Sequence, residues 1–256
     1  MQAPPPSIPP PPRPDEGSQP GSSPAEGPNR QGSKATWRAW EVIPVFVVAV
    51  LVAVLIDAPL AAVVHSRALR FVLITATGEL AFGAAVLFWV RVVHQTKVGA
   101  VGAPRTPFGD LGAGLLGGAA LTGVAFAAGL VVVTVYTAIT GHAPHQPDQI
   151  PKYVRGAALA LSGIAVVVGA PFGEELLFRG FLYNALRRRW SVWPSAILSG
   201  ILFALLHGSP VLILAILPVG IGLALVYEWR QSILASMAAH ATFNMIGFVT
   251  IVLSRR

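Results

Sequence analysis

The chain has 256 residues, 54% of them hydrophobic and only 11% charged, with a formal net charge of +7 and no cysteine. That balance excludes a soluble globular domain and points to a polytopic membrane protein, while the lack of cysteine excludes disulfides, thiolate metal sites, cysteine nucleophiles and lipidated cysteines. The basic residues stand singly or in threes at the ends of apolar runs, where they orient helices in a bilayer, so no nucleic-acid partner is expected.

Residues 1–36 hold 11 of the 22 prolines with little apolar to bury, and read as a disordered Pro/Gly/Ser-rich tail of polyproline character. The tail lacks the apolar core of a signal peptide, and a plain spacer suits it better than a docking segment. Apolar runs follow at 42–64, 71–93, 111–139, 157–186, 193–208, 211–229 and 232–253, most of them near the ~20 residues needed to span a bilayer. The fold class is therefore all-α, a bundle of about seven transmembrane helices. Residues 37–140 form an N-terminal group and 157–253 a C-terminal one. The run at 157–186 is too long for a perpendicular span, so Pro171 is expected to kink it or its end to project into water. Asp57 and Glu79, inside the early runs, read as interfacial or bundle-facing polar groups and are given no catalytic role.

With the N-terminus in the cytoplasm, inside segments carry eleven Lys and Arg against six outside, and Trp37, Trp40, Trp89, Trp190, Trp193 and Trp229 all fall near cytoplasmic helix ends. Fifteen Arg against three Lys suggests a GC-rich bacterial genome and hence an inner (plasma) membrane.

Charges inside apolar helices are costly and usually functional. Glu175 and Arg179 are four apart and share a helix face as a charge-assisted pair, while Glu174 points elsewhere and stays available. Two further spaced pairs lie downstream, Phe203 with His207 and His240 with Asn244. Glu174 lies 16 residues before Trp190 and His207 lies 17 after it, so an antiparallel pair of helices puts them level. His240 and Asn244 lie 10 and 14 residues beyond the turn at Arg230, at similar depth. Each histidine or the asparagine alone would pass for helix glue, but three polar faces at matched depth beside a free carboxylate favour a water-activating hydrolytic site.

The ordered set Glu174-Glu175-x-x-x-Arg179, Phe203-x-x-x-His207 and His240-x-x-x-Asn244 resembles the CPBP family, the CAAX proteases and bacteriocin-processing intramembrane endopeptidases also called Abi. The resemblance covers about 157–253. It implies a peptide or protein substrate cleaved at the membrane, with Glu174 and His207 activating water. His240 and Asn244 would stabilise the oxyanion or hold the water, and Glu175, Arg179 and Phe203 would support the site. Two mechanisms stay open on these residues: a metal-free one with no cofactor, and a Zn²⁺ site with Glu174, His207 and His240 as ligands. The absence of a His-Glu-x-x-His spacing favours the first. A different class of reading is a non-catalytic immunity scaffold or a small-solute carrier, against which stand the intact site residues and the lack of internal repeat symmetry.

Overall fold

A computed structural model describes residues 35–104, 106–145 and 148–255. The expected tail therefore lies outside the described residues except for its last two positions. Among the described residues the regular structure is entirely helical. Six helices are long and apolar enough to cross a membrane, here called α1 (Ala39–Val63), α2 (Arg67–Val93), α3 (Pro107–Thr140), α4 (Gly156–Arg187), α6 (Pro210–Arg230) and α7 (Ile233–Leu253). Between α4 and α6 lies a shorter apolar helix, α5 (Val192–Leu205). Side chains such as Leu55, Leu116, Phe126 and Ile139 expose 73 to 79% of their surface, which is ordinary only where the surrounding solvent is hydrocarbon.

The seven apolar runs thus become seven helices, with one shift of consequence. The run expected over 193–208 stops being helical at Leu205 because Gly208 turns left-handed at φ +73° and Pro210 opens the next helix. His207 sits in that terminating turn rather than on the helix proper, with its backbone N–H donating to the Ala204 carbonyl.

Helices approach most closely where a side chain is missing. A Cβ added to Gly114 would stand 2.5 Å from the Ala238 Cβ, and one on Gly118 only 2.3 Å from the Ala239 carbonyl oxygen. These two glycines, four apart, seat α3 directly on α7 beside His240, the small-xxx-small packing usual among membrane helices. In the same way Gly173 of α4 meets Glu79 of α2, and Gly200 of α5 meets Gly220 of α6.

α4 is continuous rather than broken, and its irregularities have a chemical cause. Two stretches, Ala165–Gly169 and Leu176–Tyr183, are wound as π-helix. In the first, the Ala170 N–H reaches back five residues to the Ala165 carbonyl. By the same register the Val166 carbonyl would receive its bond from residue 171, a proline with no N–H to give. Pro171 is thus absorbed by a wide turn, and one carbonyl is left needing a donor.

At one end of the bundle the strand-like lead into α1 is tied down. The Trp37 indole N–H donates to the Phe181 carbonyl at 2.8 Å and its ring stacks on Phe181, while Arg188 donates to the Trp37 carbonyl at 2.9 Å. Glu41 accepts from the Trp89 indole at 2.9 Å and pairs with His94 at 2.6 Å. Arg187 grips Glu228 at 2.9 Å and Arg230 grips Asp110 at 2.7 Å, so α4, α6 and α3 are cross-linked near the same end.

Candidate active site

The site is built from α4, the α5 terminus and α7, with α2 closing one wall. Its centre is Glu175, which is fully buried. Its Oε1 accepts from Arg179 Nη1 at 2.7 Å and from His240 Nδ1 at 2.9 Å. The pair with Arg179 is the four-residue contact expected from spacing, and the bond to His240 adds a clamp from α4 to α7. Arg179, also fully buried, donates its Nη2 to the Gly220 carbonyl of α6 at 2.9 Å and lays its guanidinium 4.6 Å over the Phe203 ring. One guanidinium therefore ties α4, α5 and α6 together, in the fork geometry that a lysine could not reproduce.

Phe203 is packed against both imidazoles. Its ring centroid is 5.1 Å from that of His207 and 5.6 Å from that of His240, so the two imidazoles stand around a shared aromatic wall. His207 donates Nδ1–H to the Phe203 carbonyl at 3.1 Å, which leaves Nε2 free. His240 has the complementary arrangement. Because a carboxylate only accepts, the bond to Glu175 places a proton on Nδ1, and Nε2 faces Glu174 Oε2 across 3.8 Å. That separation is too long for a hydrogen bond.

Glu174 Oε2 is buried and has no partner among the described residues. The imidazole that Glu174 faces is His240; no ion-pair contact links it to His207. Asn244, the fourth expected residue, turns its amide N–H toward Val166 and donates to that carbonyl at 2.8 Å. It supplies the bond that Pro171 cannot. Asn244 therefore sits one helical turn beyond His240 on α7 with one of its two amide hydrogens committed to stitching α4.

The three groups named for a zinc site do not converge. His240 Nδ1 is held by Glu175, and zinc requires ligands near 2.0–2.2 Å around one point. Among the described residues no group of three or more His, Asp or Glu is arranged to hold a metal ion. We route no step through zinc.

Residues 156–246 match the Rce1-like family model, described as type II CAAX prenyl endopeptidase Rce1-like. The match agrees with the resemblance carried by the motifs. No curated protein and no solved structure matches the chain. The Rce1-like segment runs from the start of α4 into α7 and contains Glu174, Glu175, Arg179, Phe203, His207, His240 and Asn244. It leaves α1, α2 and α3 outside. One polar group packed against this segment lies beyond the matched residues: Glu79 of α2, next to Gly173, whose buried Oε2 has no hydrogen-bond partner among the described residues. The sequence showed it only as a carboxylate in an apolar run.

Proposed function

We propose that the chain is an intramembrane endopeptidase that hydrolyses a peptide bond of a membrane-associated, CAAX-like protein or peptide with a water activated by Glu174. The observation that carries this reading is the unpartnered Glu174 oxygen opposite an imidazole whose far edge is fixed by a buried carboxylate. A base with no competing partner beside an oriented ring is the arrangement that general-base hydrolysis needs.

The water oxygen adds to the scissile carbonyl carbon as its proton passes to Glu174, and the carbonyl electron pair moves onto oxygen. His207, whose Nε2 is unpartnered among the described residues, carries that proton between Glu174 and the leaving nitrogen. His240, protonated on Nε2 as well as on the Nδ1 held by Glu175, donates to the developing oxyanion, and Asn244 does so with its remaining amide hydrogen. Collapse of the tetrahedral species breaks the C–N bond, and the proton held by Glu174 goes to the leaving nitrogen.

A cavity of about 710 Å³ lies between the lead of α1 and the end of α4, with Arg38, Arg188 and Trp190 at its rim. A second of about 220 Å³ shares Val42, Ile43, Leu182 and Leu202 with it and continues to Phe178. An apolar chain on the substrate would follow this path from a basic, Trp-lined interface toward Phe203. We place that interface in the cytoplasmic leaflet of a bacterial inner membrane. Cysteine introduced at Trp190, in a chain that has none, is expected to react with an impermeant thiol reagent from the cytoplasmic side only; labelling from outside inverts the topology.

The decisive experiment is cleavage of lipid-modified CAAX peptides by the purified chain in detergent or liposomes, read by mass of the products. Cleavage by the wild type and none by Glu174→Ala supports the reading. Transport of a solute that survives Glu174→Gln, with no cleavage, points instead to a carrier.

A further inference from the structure

Glu79 enters the bundle from α2, a helix that the matched segment does not include. Its position is set by contact rather than by chance. A Cβ on Gly173 would lie 2.2 Å from the Glu79 carbonyl oxygen and 3.0 Å from its Oε2, so α2 and α4 touch backbone to backbone at the residue just before Glu174. Any other residue at 173 would push the Glu79 carboxyl away.

Among the described residues both carboxyls keep a buried oxygen without a hydrogen-bond partner: Glu79 Oε2 and Glu174 Oε2, with the Oε2 of the fully buried Glu175 as a third. A buried acceptor without a donor costs roughly 1–3 kcal/mol, and native structures rarely leave such atoms unpaired unless something bonds them in use. Neither Glu79 nor Glu174 pairs with a Lys or Arg among the described residues. Two neighbouring carboxyls, each with an acceptor to spare, can share one small donor with two hydrogens.

We infer that Glu79 is a further catalytic residue, which together with Glu174 holds the attacking water by accepting one of its two hydrogens. The inference rests on the endopeptidase reading for its chemistry, though the water site itself does not depend on it. With one O–H directed to each carboxyl, the lone pairs of the water point out of the carboxyl pair toward His240 and the substrate carbonyl. One acceptor alone would leave the water free to turn; two fix it in the orientation needed for attack. The proton that leaves the water goes to Glu174 and then to the amine nitrogen. Glu79 exchanges no proton over the cycle and contributes only its hydrogen bond.

The test uses the full chain purified in detergent with a cleavable lipid-modified peptide. Glu79→Leu is expected to lower kcat by about 100-fold or more while KM stays near the wild-type value. Glu79→Gln, which keeps an accepting oxygen at the same reach, is expected to recover most of that loss, and added formate to restore part of the activity of Glu79→Ala. A merely structural role would instead lower the melting temperature and leave Gln no better than Leu. An independent readout is a high-resolution structure of the wild type, in which a water should bridge Glu79 and Glu174 and be missing in Glu79→Leu. Unchanged kcat in Glu79→Leu, or no bridging water in the wild type, overturns the inference. If the wild type cleaves nothing, the function reading fails, and the bridging water still decides the role of Glu79.

Discussion

Glu174 and Glu175 are adjacent in the chain, yet one oxygen of Glu175 is held by a guanidinium and an imidazole, while among the described residues an oxygen of Glu174 has no hydrogen-bond partner and its ring neighbour is 3.8 Å away. The two sit about 100° apart on α4, so a single helix presents one to α7 and the other to the space bounded by α2. Around Glu175 most polar hydrogens find a partner, and three helices are tied through it and Arg179. Around Glu174 and Glu79 acceptors outnumber donors. The bonds from Arg179 and His240 make the first region a rigid support even though Glu175 Oε2 and Arg179 Nε stay unpaired among the described residues; the second, with no such bonds, is a place where a reactant is held. Substitutions in the two regions should therefore fail in different ways.

The largest effect is expected from the unsaturated side. Glu174→Ala should lower the cleavage rate by about 10³-fold or more while the melting temperature in detergent barely moves, since no protein bond to its Oε2 is lost. His207→Ala should behave alike. A variant of either residue that cleaves normally does not belong in the site.

Glu175→Ala should lose stability as well as activity, because it strands the buried Arg179 and frees His240 to turn. Removing one partner of a buried pair costs about 3–5 kcal/mol. Melting equal to that of the wild type would show that the pair is not the support described. A smaller effect is expected at a distance: Gly118→Ala drives a methyl into the Ala239 carbonyl, shifts α7 beside His240 and should cost about 1–3 kcal/mol together with some activity.

The finest test separates support from chemistry within one residue. Asn244→Ala leaves the Val166 carbonyl without a donor, whereas Pro171→Ala gives that carbonyl a backbone N–H of its own. The stability cost of Asn244→Ala, about 1 kcal/mol in the wild type, should shrink in the Pro171→Ala background. The loss of cleavage should remain. If activity returns with stability, Asn244 serves the helix and not the oxyanion.

Much of this could be read from the sequence, because hydrophobic runs near 20 residues determine spans directly and the Glu175 to Arg179 spacing determines an ion pair wherever a helix forms. The end of α5 was also announced, in Gly208-Ser209-Pro210, although the apolar run masked it. The bond from Asn244 to Val166 was out of reach, since it depends on a π-turn that forms only when Pro171 is accommodated inside a buried helix. Glu79 was harder still. Its place follows from the crossing of α2 on α4 at Gly83, Gly173 and Phe172, a pairing of segments 90 residues apart that no local pattern encodes.

The 14-residue helix Val192–Leu205 rises only about 21 Å, against a hydrocarbon thickness of about 30 Å. A segment so short is mismatched to the bilayer, and the lipid answers by thinning around it or by letting headgroups and water follow it inward. His207 lies at the deep end of that deficit, with Leu205 and Leu206 half exposed beside it. A leaflet that meets this helix end would dimple above the reactive layer. A peptide strand, whose free amides and carbonyls cannot enter oil unpaired, has a shorter descent at that point than anywhere else on the bundle.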